Sequence, residues 1–339
     1  MKIVKIAKRQ QRKKKVKDES DMKKHFSKLG FMYFLGTILV FAVQIGGTKL
    51  LELLNPAWSE NYNIVFLAGM LPMYIIAMPI MAKCIGTIPA ESSKEKKKMT
   101  IGQWMIAFFM CYAGMYICNF IGIFITTGIG ILKQGSVSNV MAELSMSLNP
   151  WVNLFVVVIC APIAEELLFR KLLIDRTVKY GEGVSVVLSG FIFALYHGNL
   201  NQFVYAFFMG AFWGFIYVKT RNIRYTIVMH MVMNFFGSFV STLLLKASGY
   251  DKLMAGEMLT DFTTSEMMGM AALGLYGMCL IAFVITGIVL WIVNRKKFVL
   301  NPGQVVIEKG NRFKTIILNW GMGLFCIFWL VQIVRQLLA

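Results

Sequence analysis

Long apolar stretches alternate with short polar ones from Leu29 to the end of the chain. Nine runs stand out, near residues 29–54, 63–88, 101–132, 151–174, 184–198, 203–218, 225–245, 268–293 and 315–338. About twenty apolar residues make a helix long enough to cross a bilayer, and most of the runs reach that length. None shows the apolar–polar alternation of a membrane β-strand. The pattern predicts an all-α protein, a polytopic transmembrane helical bundle of about 8–9 spans. The fifth and sixth runs are short. They flank "GNLNQ" (Gly198 to Gln202), which reads as a turn at membrane depth, lined by protein rather than lipid.

Composition supports that picture. Hydrophobic residues make up 57% of the 339 and charged residues 15%, too few polar groups to cover a soluble domain of this size. Lysine and arginine number 35 against 17 acidic residues, a net charge of +18. Such a balance can mark a nucleic-acid binder, but here the basic residues cluster between the apolar runs, where they set topology. With the N-terminus inside and the runs alternating, all fall on the inner side except Lys49, Lys133, Lys246, Lys252 and Arg335. The expected location is a bacterial-type plasma membrane, with the N-terminus cytoplasmic, lipids as neighbours and no nucleic acid as partner. Residues 1–28, with "KRQQRKKKVK", read as a disordered basic cytoplasmic tail able to touch anionic lipid. No cleavable signal peptide is evident. The six cysteines form no CxxC and read as small core residues.

The polar residues inside the runs carry the candidate chemistry. Of the 17 acidic residues, only Glu165 and Glu166 sit well within a run, in "APIAEELLFR". Two of the three histidines, His197 and His230, lie in runs of their own. A charged group at mid-helix costs roughly 2.5–3.5 kcal/mol to insert, so the polar face of the fourth run must meet partners. Pro162 frees a carbonyl one turn upstream and can kink the helix before the glutamates. Glu166 and Arg170 are four apart and can pair, while Glu165 points about 100° away. Phe193 and His197, and His230 and Asn234, share the same spacing. Counted from the inner ends, Glu165, His197 and His230 differ in depth by only ~10 Å, so they could line one cavity in the cytoplasmic half.

Such a set can hydrolyse. A carboxylate takes a proton from water, a neutral imidazole holds that water, and a second imidazole beside an amide offers donors to an oxyanion. The same residues can also be read as a zinc site, with Glu165, His197 and His230 as ligands and water in the fourth position. Ionisable groups at this depth also serve ion-coupled transporters, but no internal repeat is visible. An inert immunity or scaffold protein that keeps the motifs is a further reading.

"EELLFR" resembles the Glu-Glu-x-x-x-Arg motif of the CPBP intramembrane proteases, the CAAX-processing and bacteriocin-processing (Abi) family. "FALYH" (Phe193 to His197) and "HMVMN" (His230 to Asn234) look like its second and third motifs, in the family's order. The resemblance covers about Trp151 to Val240. It implies a catalytic core of four helices within residues 151–240, between transmembrane helices at 29–132 and at 268–338. It also implies an intramembrane endopeptidase, similar to type II CAAX prenyl endopeptidases, acting on a hydrophobic peptide or a membrane-tethered protein. By position, Glu165 would activate water with help from His197, and His230 and Asn234 would meet the oxyanion. Arg170 would hold Glu166 in place, and Phe193 would pack beside the site. The family is often labelled metalloprotease, while its eukaryotic members favour a glutamate-dependent, metal-free mechanism. The expectation here is no obligatory cofactor, with zinc as the alternative. The expected substrate is a short hydrophobic or membrane-tethered peptide reached from the cytoplasmic side.

Overall fold

A computed structural model describes residues 2–91 and 95–338, with side chains from Glu19 onward other than that of Leu259. Among the described residues every regular element is helical. The long helices follow the apolar runs: α1 (Lys2–Leu54), α2 (Tyr62–Gly86), α3 (Ile101–Leu132), α4 (Pro150–Tyr180), α5 (Glu182–Tyr196), α6 (Leu200–Thr220), α7 (Arg224–Ala247), α8 (Thr264–Lys297) and α9 (Trp320–Leu338). Eight of these are long and apolar enough to cross a membrane; α5, with 15 residues, is the short one. The chain is an all-α integral membrane protein.

Local chemistry sets the helix starts. Thr100 and Thr263 close capping boxes with Gln103 and Glu266, which satisfy the first free N–H groups of α3 and α8. Asn149 caps α4 ahead of Pro150, a residue whose missing N–H costs nothing in a first turn. Helix α1 begins at Lys2, so the basic segment read as disordered is helical here. Lysine, arginine and glutamine are good helix formers. From His25 onward the helix is also anchored, with Phe26 buried and His25 Nε2 2.8 Å from the Arg176 carbonyl.

The bundle has two distinct ends. At one, the basic loops are tied to the helix ends by backbone bonds: Glu91 N–H to Asp175 O, Lys97 N–H to Thr220 O and Val305 N–H to Lys179 O. At the other, Lys133 Nζ donates to Leu337 O, Gln336 Nε2 to Ser138 O and Lys246 Nζ to Leu148 O. Helices α5 and α6 cross closely through two glycines. A Cβ at Gly190 would lie 2.7 Å from Phe207 O, and one at Gly210 would lie 2.9 Å from the Gly190 Cα. Without side chains at the crossing, the backbones approach as small-residue membrane interfaces do. The "GNLNQ" turn is lined by protein as expected: Gly198, at φ +64, packs on Trp329 of α9, and Gln336 reaches the Leu200 N–H.

Four π-helical turns interrupt the regular winding. They span Met73–Ala77 in α2, Leu154–Cys160 and Leu167–Leu172 in α4, and Phe235–Val240 in α7. Each inserts a residue, rotates the next turns of the helix and widens it, a device frequent at functional sites. In α4 the two turns bracket Ala161–Glu166, the stretch that holds both glutamates.

Candidate active site

Glu166 and Arg170 form the base of the site. Both are fully buried, and Arg170 Nε and Nη2 each donate to one Glu166 carboxylate oxygen at 3.0 Å. This is the pairing that the four-residue spacing predicts. Ser189 of α5 completes it, accepting from Arg170 Nη1 at 3.0 Å while donating its own hydroxyl to the Phe169 carbonyl at 2.8 Å. Arg170 also lies against the Phe193 ring, 4.5 Å from its centroid. A buried ion pair this well bonded avoids the penalty of an isolated charge in a low-dielectric interior.

His230 of α7 joins the pair. Its Nδ1 is 3.2 Å from Glu166 Oε1, and its Nε2 is 3.8 Å from Glu165 Oε2. The first is a hydrogen bond; the second is too long for one. The Trp213 indole stacks on the imidazole, with centroids 4.3 Å apart and planes 29° from parallel. The imidazole is thereby held on its edge by Glu166 and on its face by Trp213.

His197 closes α5. Its Nδ1 lies 2.7 Å from the Phe193 carbonyl, which can only accept, so Nδ1 carries the proton and Nε2 keeps a lone pair. Phe193 meets both imidazoles edge-on, at 4.7 Å from His197 and 5.9 Å from His230. Glu165 interacts electrostatically with His197 and with the phenols of Tyr74, Tyr196 and Tyr205. Unlike Glu166, its side chain is 21% exposed. The two adjacent carboxylates thus differ sharply: one is locked, the other is open.

Asn234 sits differently from the expectation. Its Nδ2 donates to the Val157 carbonyl at 2.9 Å. In the π turn of α4, Ala161 N–H bonds to the carbonyl five residues back, that of Val156. In the same register Pro162, which has no N–H, leaves the Val157 carbonyl open, and Asn234 fills the gap. Pro162 predicts the freed carbonyl, but nothing in the sequence names its partner.

Several neighbours carry little or no sequence signal. Trp213 and Ser189 reach the site only through tertiary packing. Tyr196, beside His197, has a buried hydroxyl with no hydrogen-bond partner among the described residues, and so does the Trp329 indole N–H. The two rings pack with centroids 4.9 Å apart. His25 packs on Tyr180 at the basic end, apart from the site.

The zinc reading rests on Glu165, His197 and His230. Among the described residues no three histidine, cysteine or acidic side chains gather as a metal ligand set. His230 Nδ1 is bonded to Glu166 and its Nε2 lies 3.8 Å from Glu165 Oε2, so a zinc ion there would need His197 Nε2 to close on the same point. A cavity of about 690 Å³ has His197, Gly198 and Asn199 along one side and Phe41, Trp329 and Gln332 among its other walls. Ser138 and Gln336 also line it, which puts it at the end opposite the basic loops.

Residues 147–236 match the family model described as type II CAAX prenyl endopeptidase Rce1-like. The chain is also 28% identical over 171 residues to the Bacillus subtilis (strain 168) protein named "Putative membrane peptidase YdiL", covering 48% of this chain and 67% of that one. No solved structure matches. The segment folded around Glu165 is the one that the family model recognises, and over it the chain is similar to the type II CAAX prenyl endopeptidases.

Proposed function

We propose that the chain is a glutamate-dependent intramembrane endopeptidase that cleaves hydrophobic or membrane-tethered peptides. The observation that carries this reading is the asymmetry of the adjacent glutamates. Glu166 is neutralised and immobilised by Arg170, whereas Glu165 is partly open and flanked by two imidazoles. A water held between Glu165 and His197 Nε2 gives its proton to the Glu165 carboxylate and adds to the substrate carbonyl carbon. The oxyanion that forms lies toward His230, which Glu166 and Trp213 hold in place; with Nδ1–H donated to Glu166, Nε2 donates to the oxyanion as the imidazolium. Glu165 then returns the proton to the amine nitrogen as the C–N bond breaks, and the carboxylate is regenerated. Asn234 acts first by holding the π turn of α4 and can reach the oxyanion only through its second N–H. In this mechanism Glu165 alone handles the proton, and no metal is required.

Prenylated CAAX peptides and leader peptides are the two substrate classes to try, the first because of the matched family's description. The test is cleavage of both by the purified full chain in detergent, with Glu165→Gln alongside. Turnover by the wild type and none by the variant supports the reading. If neither cleaves any substrate, and the variant instead loses ion flux in liposomes, the transporter reading replaces it.

A further inference from the structure

We propose that the cavity beside His197 is the substrate's way in, and that it receives an extended stretch of a membrane-tethered peptide from the extracytoplasmic face. This rests on the peptidase reading above and adds the direction of approach and the class of substrate.

Three observations lead there. First, the site is closed toward the basic end. Below Glu166 lie Arg170, Phe169, Leu173 and Trp213, all fully buried. Beneath them Asp175 ties α4 to α6 and the following loop, accepting from Tyr217 at 2.9 Å and from Arg221 at 3.1 Å. Among the described residues, cavities of about 280 and 50 Å³ at that end are lined by residues such as Gly181, Asn301 and Gly303, and none of their walls belongs to the site.

Second, the larger cavity does touch the site. His197 is part of its wall, and a volume of about 690 Å³ lies in the range that holds small ligands or a few peptide residues. Trp329 lines the cavity and packs on Tyr196, the chain neighbour of His197, with ring centroids 4.9 Å apart. Each carries a buried donor without a partner among the described residues, and the Trp329 side chain is more than nine-tenths buried. Unsatisfied buried donors cost about 1–3 kcal/mol each. A peptide backbone supplies carbonyl acceptors at close spacing, and a chain against this wall would satisfy the Trp329 N–H, which is buried in the resting fold, once that ring turns toward the cavity. The polar Gln332, Gln336 and Asn199, set beside Phe41 and Val140, suit a peptide with alternating backbone and apolar contacts.

Third, the charge pattern assigns the faces. The loops at the closed end hold most of the lysines and arginines, which positive-inside bias retains in the cytoplasm. The open end therefore faces out. A substrate presented there is an exported or inserted segment, such as the stub of a cleaved leader, and not a cytoplasmic prenylated tail.

The experiment places a cysteine in the wall, as Gln332→Cys or separately as Val140→Cys, and expresses the full chain in right-side-out and inverted membrane vesicles. A membrane-impermeant maleimide is added, and cleavage of a membrane-tethered leader peptide is compared in labelled and unlabelled samples of the same variant. Wild type, with its six native cysteines, is the labelling control. The expected result is labelling only in right-side-out vesicles, with turnover falling at least about tenfold on labelling. Labelling only in inverted vesicles overturns the assignment of faces. Turnover that survives complete labelling of both variants overturns the route. Absence of cleavage by the unmodified chain is a different outcome, since it removes the peptidase reading itself.

Discussion

Asn234 donates its side-chain amide to the Val157 carbonyl at 2.9 Å, taking the place of the N–H that Pro162 lacks. That bond joins α7 to α4 about two turns before the glutamates, so Asn234 has a structural duty whatever it does in catalysis. Asn234→Ala leaves a carbonyl without its donor and should cost about 1–3 kcal/mol of stability. The measurement is the Tm of the purified protein in detergent. An unchanged Tm with a fall in kcat of about a hundredfold would mean that the amide turns to the substrate instead.

Glu165 and Glu166 should separate cleanly by mutation. Glu165→Gln removes the base and should lower kcat at least about a hundredfold with little change in Tm. Glu166→Gln leaves the buried Arg170 without its countercharge and should cost about 3–5 kcal/mol of stability. Paired Tm and turnover measurements on the two variants decide the matter. If Glu166→Gln is stable and inactive while Glu165→Gln is active, the roles are exchanged.

Helical spacing is enough to pair Glu166 with Arg170, because a four-residue separation is local geometry. The apolar runs locate all nine long helices, because bilayer length is written directly in composition. The π turns are not legible: inserting one residue into a helix leaves no mark on apolar content. The π turn at Leu154–Cys160 decides which carbonyl Pro162 leaves open, that of Val157, and so what Asn234 meets. The face on which the cavity opens is also hidden. It depends on how α9 and the 133–149 segment close over His197, and depth counted along single helices carries no such information.

Chelation should leave activity intact. Among the described residues no three histidine, cysteine or acidic side chains gather as a ligand set, and a carboxylate base at Glu165 needs no metal to take a proton from water. The purified protein should therefore contain zinc far below one equivalent by elemental analysis and keep its turnover in excess chelator. Loss of activity that zinc alone restores would overturn the glutamate mechanism and require the histidines to move on metal binding.

Tyr196 gives the sharpest contrast between packing and chemistry. Its ring is held between Phe169 at 5.1 Å and Trp329 at 4.9 Å, so Tyr196→Phe keeps the packing and removes only the hydroxyl. In the free protein that hydroxyl is buried with no partner among the described residues, so its removal should leave Tm unchanged or raise it. If the hydroxyl donates to the substrate carbonyl near Glu165, the same variant should lose about 10- to 100-fold in kcat, with KM changed much less. A structural role predicts the reverse, a lower Tm with turnover per folded molecule unchanged. Measuring Tm, kcat and KM on the one variant distinguishes the two, because a hydroxyl that is idle in the resting fold but used in the transition state stabilises only the latter.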